Sequence, residues 1–188
     1  ALGGITDGVT NLELTASYAS IANGGTYIKP IFYTKILDHD GNVLIDNTAK
    51  EGSTVIKEST AFLLTSAMKD VITQGTGTAV AFKGMPIAGK SGTTSKNYDL
   101  WFSGYTPYYT TSVWGGYDVN HTMSGASYHK KLWKNIMSRI HEGLEYKEFT
   151  VPDSIETARI CKKSGKLAVD GLCDQDPRGS MITTEYFA

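Results

Sequence analysis

Acid and base nearly cancel in this sequence: 18 Lys and Arg stand against 19 Asp and Glu, a formal net charge of −1. A chain so balanced has no overall field to gather nucleic acid or to hold an acidic membrane surface. It also lacks any apolar run near the roughly 18 residues that a membrane helix needs. Cysteine is scarce. Only Cys161 and Cys173 occur, both near the C-terminal end, with no neighbouring histidine to complete a tetrahedral zinc set. His39, His121, His129 and His141 are scattered, with no i,i+4 pair and no clustered carboxylates, so no metal site is expected. The two cysteines leave two readings open: a disulfide closing a short loop, as suits an extracytoplasmic protein, or two free thiols. The opening residues ALGGITDGVTN match neither a signal peptide nor an initiator methionine, and the chain is expected to begin inside a longer sequence.

What is present is ordinary globular composition, 40% hydrophobic and 20% charged, which excludes a disordered chain. Eleven tyrosines and 20 glycines favour sheet and turns. NLELTASYASIA (11–22) has helical spacing and stops at Asn23-Gly24-Gly25. YIKPIFYTKILDHDGNVLID (27–46) reads as a hairpin broken at Asp40-Gly41-Asn42. Asp38, Asp40 and Gly41 resemble the start of a calcium loop, but the remaining acidic ligands are missing, and a turn is expected. STAFLLTSAMKDVIT (59–73) is the strongest helix, with Ala61, Leu64, Ala67, Met68, Val71 and Ile72 expected on its buried face. LWFSGYTPYY (100–109) and TTSVWGGYD (110–118) read as strands, and YHKKLWKNIMSRIHEGL (128–144) as a last helix. The punctuated stretch 149–188 reads as a loosely structured tail, following a domain over 1–148.

GMPIAGKS (84–91) satisfies the phosphate-loop pattern G-x-x-x-x-G-K-[ST] at every fixed position. Such a loop works only if a helix starts at the Lys-Ser and aims its N-terminus at the anion. Here GTTSKNYD follows, with a glycine, β-branched threonines and turn formers, and the supposed cradle contains Pro86 and Ile87. The context is wrong for a nucleotide site. Read as a strand, Pro86–Thr94 makes different chemistry. Gly89 and Gly92 remove bulk on either side of Lys90-Ser91, as happens where a ligand approaches a strand closely. Lys90 and Ser91 point to opposite faces, and Thr93 shares a face with Ser91. Such an edge offers hydroxyls for a carboxylate, an ammonium, and backbone N–H groups for an oxyanion. A plain Gly/Thr edge strand with a solvated lysine has the same residue types, and the residues alone leave both readings open.

AGKSGTTSKNYDLWFSGYTP, followed by SVWGGYD, resembles the Lys-Thr/Ser-Gly box and the two strands after it in penicillin-binding proteins of the bifunctional class A type. NLELTASYASIANGGTYIKP and VITQGTGTAVAF resemble that family's segments upstream of the box, and ICKKSGKLAVDGLC with TTEYF its region after the last helix. The resemblance implies an α+β fold, an antiparallel sheet flanked by helices as in serine β-lactamases, incomplete in this chain. It implies a D,D-transpeptidase that cross-links peptidoglycan stem peptides through a serine acyl-enzyme and is acylated by β-lactams, without a cofactor. Lys90 would support proton transfer. Ser91, Gly92 and Thr93 would form the substrate-binding stretch, with Ser91 and Thr93 hydrogen-bonding the substrate or β-lactam carboxylate, and the Thr93 N–H would supply half of the oxyanion hole. A non-catalytic β-lactam sensor and a serine β-lactamase share the fold and stand as alternatives.

The family needs two further motifs, Ser-x-x-Lys with the nucleophile and Ser-x-Asn, both ahead of the box. Ser66-Ala67-Met68-Lys69 has the first spelling, but helical projection puts Ser66 and Lys69 on the polar face, where a nucleophile is not sheltered. Ser95-Lys96-Asn97 has the second spelling but follows the box, in the turn between two strands. The chain is therefore expected to be the C-terminal part of the transpeptidase domain, with its nucleophile on a separate upstream segment that packs against it. A membrane anchor would lie further upstream, and the protein would work at the extracytoplasmic face of a bacterial cytoplasmic membrane.

Overall fold

The computed structural model describes residues 8–49, 51–124 and 127–188. Residues 1–7, part of the ALGGITDGVTN stretch on which the expected start inside a longer sequence rests, lie outside them. The chain divides into two compact units, one up to Phe149 and one over Thr150–Ala188.

The first unit is built on a three-stranded antiparallel sheet flanked by helices, the α+β class expected. Helix α1 (Asn11–Ala22) starts at Thr10, whose hydroxyl accepts the Glu13 N–H while the Glu13 carboxylate accepts the Thr10 N–H. Strand β1 (Thr26–Ile28) does not join the expected hairpin but pairs with β4 (Gly52–Thr54). The hairpin is confined to β2 (Lys35–Leu37) and β3 (Val43–Asp46). Its turn is held by the Asp38 carboxylate, which accepts the N–H groups of Asp40 and Asn42 at 2.9 and 2.8 Å. That is Asx-turn chemistry.

Helix α2 (Glu58–Thr73) leads through a glycine-rich loop to β5 (Ala88–Thr93), β6 (Asp99–Tyr105), β7 (Thr110–Gly116) and α3 (Tyr128–Ile140). The sheet order is β5-β6-β7, so β5 is an edge strand. Register sorts side chains to two faces. Ile87, Phe102 and Val113 join Ile72, Val80, Trp133 and Met137 in a core against α3. Ala88 and Tyr105 join Met68 on the other face, packed against Tyr18, Ile21 and Ala22 of α1. Gly89 pairs with Gly104 across β5 and β6, and a Cβ at Gly89 would lie 2.8 Å from the Ser103 carbonyl. Only glycine admits so close a pass.

The expected buried face of α2 needs correction. Ala61, Met68 and Ile72 are buried, but Leu64 is 42% exposed and Ala67 is exposed. Thr65 takes their place, because its hydroxyl lies 2.6 Å from the Tyr105 hydroxyl in the core. A buried pair of hydroxyls satisfies itself by hydrogen bonding, and apolar spacing does not report it.

Burial pushes the Tyr105 hydroxyl up to about 12, against the opposing effect of its bond to Thr65. Tyrosine in the unfolded chain ionises near 10, so the unfolded state loses its proton first as pH rises. The stabilisation from this group is complete below pH about 10 and is lost as pH rises to about 12. Denaturant midpoints measured from pH 9 upward, at roughly half-unit steps, should fall steeply in this window, and less so in Tyr105→Phe.

The second unit contains an antiparallel pair, β8 (Glu156–Cys161) and β9 (Ile182–Phe187), in the stretch read from sequence as a loose tail. Its strands are half polar and lie 20 residues apart, so no short turn marks them in the sequence.

Candidate active site

Strand β5 carries the Lys-Ser-Gly residues along an edge. Lys90 pairs with Ser103, Ser91 with Phe102, Gly92 with Trp101 and Thr93 with Leu100. Directly opposed residues share a face, so Lys90 stands in a row with Ser103 and Ser112 on the side of α1 and α2, while Ser91 and Thr93 share the α3 side. The opposite-face arrangement expected from the two-residue period is present. Lys90 is exposed, and its ammonium donates to the Ser91 carbonyl at 2.9 Å. Thr93 is exposed, and Ser91 and Gly92 are half-buried.

A residue not singled out from sequence belongs to this cluster. Thr76, in the loop after α2, places its hydroxyl 3.0 Å from the Ser91 hydroxyl. The loop is pressed onto the end of α2: the Gly77 N–H donates to the Val71 carbonyl at 2.9 Å, and a Cβ at Gly75 would lie 2.9 Å from the Val71 Cα. From α3, the Lys130 ammonium donates to the Thr76 carbonyl at 2.8 Å. Two glycines around a threonine in Gln74-Gly75-Thr76-Gly77 were the available signal, but nothing local says that the loop folds back onto β5.

In the Ser66–Lys69 pattern the lysine is engaged outside the pair. Lys69 binds Glu148 at 3.0 Å and stacks over the Phe149 ring, 5.8 Å from its centroid. Ser95, Lys96 and Asn97 form a tight turn between β5 and β6, with Lys96 and Asn97 at φ of 63° and 55°. Two sizeable cavities, about 370 Å³ beside Phe82 and His141 and about 450 Å³ beside Ile28 and Asn47, are both lined without Lys90, Ser91 or Thr93. The candidate site lies on the β5 edge of the sheet, with the Thr76 loop against Ser91. No helix of the described residues is long and apolar enough to cross a membrane.

Two family models match the chain: the penicillin binding protein transpeptidase domain over residues 1–140, and the penicillin-binding protein 1A C-terminal domain over residues 151–188. Penicillin-binding protein 1A of Clostridium botulinum (strain Langeland) is 37% identical over 193 residues, covering 100% of this chain and 23% of that protein. Penicillin-binding protein 1F of Bacillus subtilis (strain 168) is 38% identical over 152 residues, covering 76% of this chain and 21% of its own length. The chain thus spans less than a quarter of these curated relatives. The crystal structure of penicillin-binding protein 1A from Haemophilus influenzae shares the fold at a TM-score of 0.79 and 24% identity, over 95% of this chain and 32% of that one. Penicillin-binding protein PonA1 from Mycobacterium tuberculosis follows at a TM-score of 0.65 and 28% identity, over 75% of this chain and 40% of that one. The chain belongs to the penicillin-binding protein transpeptidase family, matching the C-terminal part of its class A members.

Proposed function

We propose that this chain supplies the Lys-Ser-Gly wall of a peptidoglycan D,D-transpeptidase whose nucleophilic serine lies on an upstream segment. The observation that carries this is the β5 edge. Lys90, Ser91 and Thr93 lie in register along an edge strand, while the chain's own Ser-x-x-Lys lysine is engaged by Glu148. The upstream segment would close the second wall and bring the serine to this edge.

The serine hydroxyl attacks the carbonyl between the two D-alanines of a stem peptide, the terminal D-alanine leaves, and an amine from a neighbouring stem takes the acyl group. A β-lactam carbonyl is attacked by the same serine. Lys90 supplies positive charge beside the reacting groups and supports proton transfer. The hydroxyls of Ser91 and Thr93 bind the substrate or β-lactam carboxylate. Gly92 permits close approach, and the Thr93 N–H faces the charge that develops on the carbonyl oxygen. The protein would act at the extracytoplasmic face of the cell envelope, held there by an N-terminal anchor.

The test is a protein that carries this chain behind its upstream segment, given a stem pentapeptide and an acceptor amine. Release of D-alanine with transfer to the amine supports the reading. Acylation by penicillin without turnover of the stem peptide marks a sensor instead, and rapid release of hydrolysed penicillin marks a β-lactamase.

Thr76 enters as a positioning residue, since its hydroxyl fixes that of Ser91. Thr76→Val removes one hydrogen bond to a substrate-binding group, and acylation should slow by about tenfold. Thr76→Ser should restore it. Thr76→Val should add little on top of Ser91→Ala, a coupling that a merely structural threonine would not show.

A further inference from the structure

We propose that Cys161 and Cys173 form an intramolecular disulfide by exchange with an external disulfide, and that this bond clasps the second unit. The inference is independent of the transpeptidase reading. The unit Thr150–Ala188 falls below the length, about 40 residues, at which a hydrophobic core alone suffices. Among its described residues, the buried apolar side chains are Pro152 and the two cysteines, the latter 6% and 7% exposed. Leu167, Val169, Leu172, Tyr186 and Phe187 are exposed, and Ile155, Ile160, Met181 and Ile182 are only half-buried. Small units of this kind depend on a covalent or metal staple, and among the described residues no group of three or more metal-binding side chains is assembled.

Both cysteines are buried free thiols in the structure, and the backbone ties their two segments together. Cys161 ends β8 opposite Ile182, and the next residue, Lys162, donates its N–H to the Met181 carbonyl at 2.8 Å. The Met181 N–H donates in turn to the Cys173 carbonyl at 2.8 Å, so one residue ties both cysteine segments. The Val169 N–H donates to the Cys173 sulfur at 3.4 Å, which turns that side chain in toward the β8–β9 pair. The sulfurs are also unequal. The Cys173 thiol and the N–H groups of Lys163 and Ser164 hold Cys161 down to about 7, whereas Cys173, which accepts the Val169 N–H, is pushed up by the Cys161 sulfur. A thiol ionising near ambient pH is the effective attacker in exchange. The Cys161 thiolate attacks one sulfur of the external disulfide and expels the other as a thiolate. Cys173 then loses its proton and attacks the Cys161 sulfur, expelling the second thiolate. Two cysteine thiols are oxidised, and one external disulfide is reduced to two thiols.

The test is made on the full chain, reduced and then exposed to oxidised glutathione. The unreacted thiols are alkylated under denaturing conditions, followed by peptide mass mapping. The expected result is one linked peptide pair containing Cys161 and Cys173, lighter than the two thiols by about two mass units, and no alkylated cysteine. On limited proteolysis the oxidised chain should lose the second unit several-fold more slowly than the reduced chain, at rates that track local opening. Alkylation of both cysteines after this exposure, or glutathione retained on either sulfur in place of the linked pair, would overturn the proposal. So would equal proteolysis of the two forms.

Discussion

Replacing Lys90 with alanine should slow acylation by a penicillin by about 10²–10⁴-fold in a protein carrying this chain behind its upstream segment, the range in which a positioned proton-transfer group contributes. The lysine is well placed for such a role. It stands exposed on an edge strand, its ammonium held against the Ser91 carbonyl at 2.9 Å, with glycines at 89 and 92 keeping bulk away from it. Lys90→Arg separates charge from proton transfer. Guanidinium keeps the positive charge but does not release a proton at physiological pH, and its planar fork is wider than an ammonium. A variant with arginine should therefore bind a carboxylate-bearing β-lactam with little loss and still acylate slowly. Stopped-flow or quench measurements that separate binding from the acylation rate would show this split. Wild-type acylation by Lys90→Ala would remove the residue from the mechanism.

Trp133→Ala should destabilise the first unit by about 3–5 kcal/mol, among the largest single-residue losses available to it. Trp133 is fully buried at 0% exposure, edge-on to Phe102 with ring centroids 5.0 Å apart, and its indole N–H donates to the Thr111 carbonyl at 2.9 Å. Alanine leaves a cavity between α3 and the sheet and strips a part-buried carbonyl of its donor. Trp133→Phe fills most of the volume but not the hydrogen bond, and should lose less. Urea unfolding followed by far-ultraviolet circular dichroism reads both. Phe102 forms the floor of this packing and pairs directly with Ser91, so loosening it should also raise the mobility of the Lys-Ser-Gly strand.

Local chemistry made part of this legible from the residues. Alternation along β5 assigns Lys90 and Ser91 to opposite faces, and register bears that out. Asn23-Gly24-Gly25 ends α1 where glycine stop chemistry puts it. The absence of a helix after Lys90-Ser91 removes the phosphate-loop reading, and those residues form β5. What escaped was set by contacts distant in the chain. Thr76 reaches Ser91 because a loop folds back over 15 residues, and Thr65 is buried because Tyr105 arrives 40 residues later with a matching hydroxyl. Strand β1 finds β4 rather than its neighbour in sequence. Hydropathy spacing carries no information on such partners.

On the proposed reading the chain provides the third motif and not the nucleophile. Intact-mass and peptide mapping after incubation with a penicillin, on a protein carrying this chain behind its upstream segment, tests it directly. The expected result is one acyl adduct on a serine upstream of Ala1, with Ser66 and every other serine of this chain unmodified. An adduct on Ser66, or on any serine of the chain, would contradict it.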